Sequence, residues 1–413
     1  MQEASTTTFN VYEIRKQFPV LDQSVNGKPL IYFDNAATSQ KPSSVIDSLK
    51  GYYVGYNANI HRGIHTLAEK ATQAYEETRK AIAEMINAAE EEEIIFTRGT
   101  TDGINLVAQS YGRSFLQKGD EILISGMEHH SNIVPWQLVA EQTGAVLKVI
   151  NVLDDGSLDL DDFEHKLSEK TKIVSIVYVS NTLGTINPIK LLIEKAQTVG
   201  AVVLIDGAQA NPHLHVDVQE LKADFLAFSS HKMYGPTGVG VLYGKRKWLE
   251  KMPPYQGGGE MISDVSFDKT TFNEIPHKFE AGTPNIADVI GLHAAVEFIH
   301  EVGIKNISAH EDELLNYGTS LLSDLEGFEP IGNAEKKASV ISFNIKDVHP
   351  FDLGVMLDAK GIAIRTGHHC TQPLMDRFNV EGTARASFAV YNTLEEVSSF
   401  VDALKSIVSK LRG

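Results

Sequence analysis

The chain has 413 residues, with 37 Lys and Arg against 54 Asp and Glu and a formal net charge of -17. No basic run resembles a phosphate-backbone footprint, so nucleic acid is not an expected partner. A single cysteine excludes an intramolecular disulfide, a paired-cysteine zinc site and a CxxC redox motif, and fits a reducing cytoplasm. The opening "MQEASTTTFNVYEIRKQF" has no signal-peptide core, and no apolar run approaches the roughly 18 residues that span a bilayer. A soluble, unexported protein with no membrane segment is expected.

Strand-length apolar runs alternate with segments of helical period, the pattern of an α/β protein with a mainly parallel sheet. "EIIFT" precedes "TDGINLVAQSYG", "DEILIS" precedes "IVPWQLVAEQTG", and "TKIVSIVYVS" precedes "IKLLIEKAQTVG". "AVVLIDGAQA" and "ADFLAFSSHK" follow, then the glycine-rich "PTGVGVLYG" and an exposed hairpin or loop over "YQGGGEMISDVSFDKTTFNE". Beyond Gly291 come a long helix-like stretch, "LHAAVEFIHEVGIKNISAHEDELLNYGTSLLSDL", the strand "ASVISFNI", a helix, the strand "IAIRTG" and a terminal helix. The expected division is a large α/β domain over 22–298 and a smaller α+β domain over 299–413, with segment 1–21 packing on the latter. The absence of repeats and Pro-rich linkers predicts domains packed together.

In such sheets the carboxyl ends of strands gather ligand-binding groups. Asp206 ends one strand and Lys232 follows another. A carboxylate that keeps a pyridinium nitrogen protonated and an amine that condenses with an aldehyde are the two groups pyridoxal phosphate most needs. Singly, Asp206 reads first as a helix N-cap and Lys232 as a solvated charge. "TRGTTDGINLV" adds a phosphate site, with Gly99 allowing close approach and Thr100 and Thr101 offering hydroxyls where a helix begins. Ser229 and His231 complete the cradle. His129 can stack on a ring, and Asn181 and Gln209 can reach its oxygen. The specificity lies in six such groups at successive strand ends.

With these residues the chain resembles the fold-type I pyridoxal phosphate enzymes of the class V aminotransferase group, most closely the SUF-type cysteine desulfurases. The resemblance rests on "YFDNAATSQKP", "NIHRGIHTLAEKAT", "TRGTTDGINLVA", "MEHHSNIVPWQ", "SNTLGTINP", "DGAQ", "FSSHKMYGPTGVGVLYG", "FEAGTPN", "RTGHHC" and "RASFAVYNT", which span nearly the whole chain. It implies a large, mainly parallel seven-stranded sheet domain and a smaller C-terminal one. It implies pyridoxal 5'-phosphate as cofactor, with Lys232 the cofactor lysine, Asp206 the pyridinium partner and His129 the stacking residue. Thr100, Thr101, Ser229 and His231 become phosphate or cradle contacts, and Asn181 and Gln209 lie on the ring side. Arg385 and Arg365 become substrate-binding arginines, Arg385 for the carboxylate of L-cysteine.

The resemblance further implies that Cys370 is the nucleophile that takes sulfur as a persulfide while L-cysteine becomes L-alanine. Arg365, His368 and His369 are expected to favour its thiolate electrostatically. A homodimer is implied, in which "GGGEMISDV" and Thr283 serve the neighbouring subunit, as are selenocysteine lyase activity and a SufE-like or SufU-like acceptor feeding iron-sulfur cluster assembly. Thr371 stands where many relatives are expected to have alanine. Rival readings are another fold-type I aminotransferase or lyase, a catalytically silent scaffold of the same fold, and a metal-dependent hydrolase built on "EHH" and "HHC". The last is disfavoured because adjacent histidines point in different directions on regular elements.

Overall fold

The computed structural model describes residues 9–412. Seven β-branched and apolar runs form one sheet: β1 (Ile94–Thr97), β2 (Glu121–Ser125), β3 (Val146–Ile150), β4 (Thr171–Val177), β5 (Val202–Asp206), β6 (Phe225–Ser229) and β7 (Gly240–Gly244). Their spatial order is β1-β7-β6-β5-β4-β2-β3. β7 runs antiparallel to both its neighbours, and the remaining pairings, β6 to β3, are parallel. Successive side chains sort to opposite faces. Val203, Ile205, Leu226 and Phe228 join one buried cluster, while Val202, Leu204, Phe225 and Ala227 join another. A sheet covered on both faces explains why these strands read as unbroken apolar runs rather than as alternating ones.

The antiparallel β7 has a consequence for function. Gly240 pairs with Thr97 on one side and with Ser229 on the other, so the carboxyl ends of β1 and β6 lie level. A Cβ at Gly240 would sit 2.4 Å from the Gly99 Cα, so only glycine permits this approach. Asp206 in turn pairs with Val177 and Ala227, which sets the ends of β4, β5 and β6 side by side.

A second, antiparallel sheet holds β8 (Phe328–Pro330), β9 (Val340–Ile345), β10 (Arg365–Gly367) and β11 (Thr383–Ser387) in the order β8-β9-β11-β10. Its buried cluster includes Phe343, Phe388 and Phe400, and Phe33 from far upstream packs edge-on against Phe388 and Phe400. Residues 9–21 bridge the two regions. Arg15 pairs with Glu396 at 2.9 Å and donates to the Tyr391 carbonyl, while Phe18 packs among Tyr234, Phe298 and Tyr391. The rest of the expected N-terminal packing segment, 1–8, lies outside the described residues.

Two expected elements divide. The long helical stretch is two helices, Ile286–Val302 and Ile304–Ser323, broken at Gly303, whose φ of +83° ends the first. The expected strand "IAIRTG" splits at Ile364. Ile362–Ala363 pairs in parallel with Ile31–Tyr32, whereas Arg365–Gly367 joins the antiparallel sheet. Among the described residues, no helix is long and apolar enough to cross a membrane.

Candidate active site

The level strand ends frame a cavity of about 170 Å³, lined in part by Thr100, Thr101, His129, Asn181, Asp206 and Gln209. Ser229, His231, Lys232, Arg365 and Arg385 line it as well, together with Ala36, Ala37 and His369. Eleven positions expected from the sequence therefore converge. Thr283 does not join them: it is exposed and lines a different cavity with Arg98, Tyr255 and Glu280. Cys370 is half-buried in the loop after β10, with Arg365 Nη2 3.7 Å from its Sγ.

At one end Gly99 holds φ +150° just before the helix Thr100–Val107, and a Cβ there would crowd the Ser229 hydroxyl at 3.2 Å. That hydroxyl accepts from the Thr100 N–H at 2.8 Å and lies 2.7 Å from Thr100 Oγ1. Hydroxyls, a side-chain-free glycine and a helix start make a cradle suited to a dianion. At the other end Asp206 is buried, and its Oδ1 accepts from the Ala208 N–H at 2.9 Å. Burial raises its pKa, only partly opposed by that bond and by Lys232. A buried carboxylate in this position would be stabilised by a cationic ring nitrogen.

Lys232 is half-buried yet closely surrounded by protein, and burial lowers its pKa to about 8 while Asp206 opposes the shift. An amine so tuned has an accessible neutral form, which a solvated lysine lacks near neutral pH. His129 is lowered to about 3, first by burial and then by Lys232 and neighbouring cations, so it presents a neutral ring. Its Nδ1 is anchored to the Ser131 N–H at 3.1 Å. Gln209 Nε2 donates to the Ala36 carbonyl at 2.6 Å, while Asn181 Oδ1 is buried without a partner among the described residues. Orphaned acceptors of this kind are costly unless a ligand satisfies them.

Arg365 and Arg385 sit directly opposite each other on β10 and β11. Like charges across a strand pair are destabilising, so this pairing marks an anion site rather than a structural choice. Arg385 is fully buried, donating to the Asn181 carbonyl and to Asp34 Oδ1, each at 2.9 Å, while its Nε–H has no partner among the described residues. Asp34 was not anticipated from the sequence. Its only signal is its place in "YFDNAAT", because the arginine it orients lies 351 positions away. The second unanticipated group is Glu128, buried behind His129 and raised to about 8 chiefly by burial, with Ser125, Asn132 and the Val177 N–H around it.

One electrostatic expectation needs correction. His369 does not supply positive charge to Cys370: burial beside Arg385 and Arg365 lowers its pKa to about 2, and its Nε2 is bonded to Thr383 Oγ1 at 2.8 Å. Arg365 is the cation at the sulfur, and His368 Nδ1 accepts from the Cys370 N–H at 3.1 Å.

The buried histidines set an acid limit. His129, His231 and His369 are depressed to about 3, 4 and 2, so below the unfolded value near 6.5 the unfolded chain binds more protons. Stability should therefore fall as pH drops from 6.5 toward 4, by on the order of 1 kcal/mol per pH unit for each such group. Thermal melts across that range check this, and His369→Gln should give a shallower decline. An unchanged slope would show that His369 does not carry this linkage.

A strand-end amine and carboxylate, a dianion cradle and a pair of facing arginines, Arg385 buried and Arg365 half-buried, define a pyridoxal phosphate site of the fold-type I kind. Comparison with known proteins refines the class. The aminotransferase class-V family model matches residues 31–400. A probable cysteine desulfurase of Halalkalibacterium halodurans is 56% identical over 96% of this chain and 97% of that protein. A cysteine desulfurase of Synechococcus elongatus is 51% identical over 98% of this chain, which spans only 64% of that longer protein. The crystal structure of the Escherichia coli cysteine desulfurase CsdA, in an S-sulfonic acid form, superposes with a TM-score of 0.91 at 40% identity, covering 98% of this chain and 100% of that one. The chain belongs to the class V aminotransferase family, which is pyridoxal phosphate-dependent, and within it to the cysteine desulfurases.

Proposed function

We propose that this enzyme converts L-cysteine to L-alanine and moves the sulfur onto Cys370. The observation that carries this reading is the placement of the only cysteine, beside Arg365, at the edge of a cavity that holds Lys232 and Asp206. Lys232 would hold pyridoxal phosphate, Asp206 its ring nitrogen and His129 its ring face. Thr100, Thr101, Ser229 and His231 would hold its phosphate, with Asn181 and Gln209 on the ring-oxygen side. The bound cofactor stores the electrons released when the substrate Cα–H bond breaks.

The chain's own groups do the rest. Arg385 and Arg365 hold the substrate carboxylate, with Asp34 fixing the Arg385 fork and leaving its Nε–H free. Lys232, as the neutral amine, takes the Cα proton. Cys370 attacks as the thiolate: its Sγ–S bond forms as the substrate Cβ–S bond breaks, the electron pair passes to carbon, and Cβ then gains a proton to become the methyl group of alanine.

The chain divides into a large domain over 22–298 and a small one over 299–413. The enzyme acts as a cytoplasmic homodimer in which the hairpin Ile262–Val265 and Thr270–Phe272 and exposed Thr283 serve the partner's site. The exposure of Val265, Phe267 and Phe272 supports that use. Selenocysteine is a second substrate, and a SufE-like or SufU-like protein takes the sulfur for iron-sulfur cluster assembly. Purified protein should be yellow, and adding L-cysteine should shift its visible spectrum and release alanine in step with Cys370-bound sulfur. Alanine or pyruvate without sulfur on Cys370 would favour the lyase reading, and selenide from L-selenocysteine alone would favour a selenocysteine lyase.

A further inference from the structure

His130 lies outside the cavity lining, yet it touches the sulfur loop twice. Its backbone N–H donates to the Cys370 carbonyl at 2.8 Å, and its Nε2 accepts from the Gln372 N–H at 3.1 Å. One residue thus brackets Cys370 from both sides. His369 and Cys370 have φ of +51° and +60°, a left-handed conformation that non-glycine residues adopt only when contacts hold them there. Gln372 also begins the helix Gln372–Phe378, whose N-cap residue Thr371 makes no capping bond with its own side chain. The Thr371 hydroxyl is instead engaged with Thr182 Oγ1 at 2.8 Å and with the His368 carbonyl. His130 therefore supplies the missing cap from another part of the chain.

The same residue follows His129 directly and opens the turn His130–Asn132, with the two imidazoles diverging to 6.2 Å between centroids. One faces the cavity and the other faces the loop. We propose that His130 is a positioning residue that clamps Cys370 in its left-handed loop and ties the placement of the thiol to the segment carrying His129. Burial and the nearby His368 lower the pKa of His130, which keeps the accepting lone pair on Nε2 available. The inference rests on the reading of Cys370 as the sulfur acceptor.

Because Cys370 is the only cysteine, its alkylation by iodoacetamide in the holoenzyme reports on this loop without ambiguity. His130→Ala, and His130→Phe as a variant that keeps a ring but has no acceptor, should each alkylate about fivefold to tenfold faster, the scale of losing one hydrogen bond. Single-turnover transfer of sulfur to Cys370 should fall about tenfold, with KM for L-cysteine within about twofold and the visible spectrum unchanged, since His129 is intact. His130→Gln, whose amide oxygen can accept the Gln372 N–H, should recover both rates. Wild-type alkylation in the Ala and Phe variants would overturn the clamp, as would a loss that Gln does not restore. If the wild-type enzyme forms no alanine from L-cysteine, the reading of its function fails, while the alkylation rates still decide the clamp.

Discussion

Cys370→Ser should leave a yellow protein that still changes its spectrum on binding L-cysteine, yet forms alanine at least about a thousandfold more slowly than the wild type. The physical reason is the division of labour in the site. The proposed cofactor contacts line the cavity at the ends of β1, β2, β4, β5 and β6, whereas Cys370 stands in the loop after β10 with Arg365 at 3.7 Å. Serine replaces sulfur with an oxygen that stays protonated and is a poor nucleophile toward sulfur, so the steps before sulfur transfer survive and the transfer does not. The measurement is alanine release together with the mass of the intact chain. Wild-type alanine formation by the serine variant would remove Cys370 from the mechanism.

The legibility of this site varied with the distance over which its parts interact. Strand ends were readable because a buried strand that stops in Asp or Ser states locally that a polar group is needed there, as at Asp206 and Ser229, whereas Asn181 lies four residues beyond the end of β4. The antiparallel insertion of β7 was not readable, since its apolar run reads like those of the parallel strands of the sheet. Yet that insertion brings Gly99 and Thr100 against Ser229. The split of "IAIRTG" was hidden for a similar reason: nothing local says that Ile362 will pair with Ile31 while Arg365 pairs with Arg385. Asp34, Glu128 and the bracketing contacts of His130 are tertiary relations, invisible to any periodicity.

The two histidines before the cysteine show what geometry adds to a motif. By sequence, both histidines of "HHC" are expected to favour the thiolate electrostatically. The left-handed turn at His369 and Cys370 instead sends the His369 imidazole inward to Thr383 and leaves exposed His368 capping the Cys370 N–H. The carbonyl of His369 is held by Asn181 Nδ2 at 2.8 Å, so a cavity-lining residue also fixes this loop. Thr371 adds a buried hydroxyl pair with Thr182, where the "SNTLGTINP" segment meets the loop. The loop is thus shaped by segments around 130, 181 and 383, and each also contributes to the cavity wall or to a strand beside it.

Lys232→Ala should cost more than any other single substitution: no covalent cofactor adduct should survive borohydride reduction, and alanine formation should fall by about a millionfold. The lysine is the only cavity-lining amine among the described residues, and burial holds it near 8 against the pull of Asp206. On the proposed roles of Lys232, its removal would take away the covalent tether and the base for the Cα proton together. The fold should persist, because Lys232 lies in a short turn after β6 and is absent from the buried apolar clusters. Noncovalent contacts from Thr100, Ser229 and Asp206 remain, so the variant should still take up the cofactor, with a spectrum set by its free aldehyde. Lys232→Arg offers a sharper control, since it keeps a cation for Asp206 but has no amine that loses a proton near neutral pH. A borohydride-trapped adduct on another lysine in either variant would transfer both roles elsewhere.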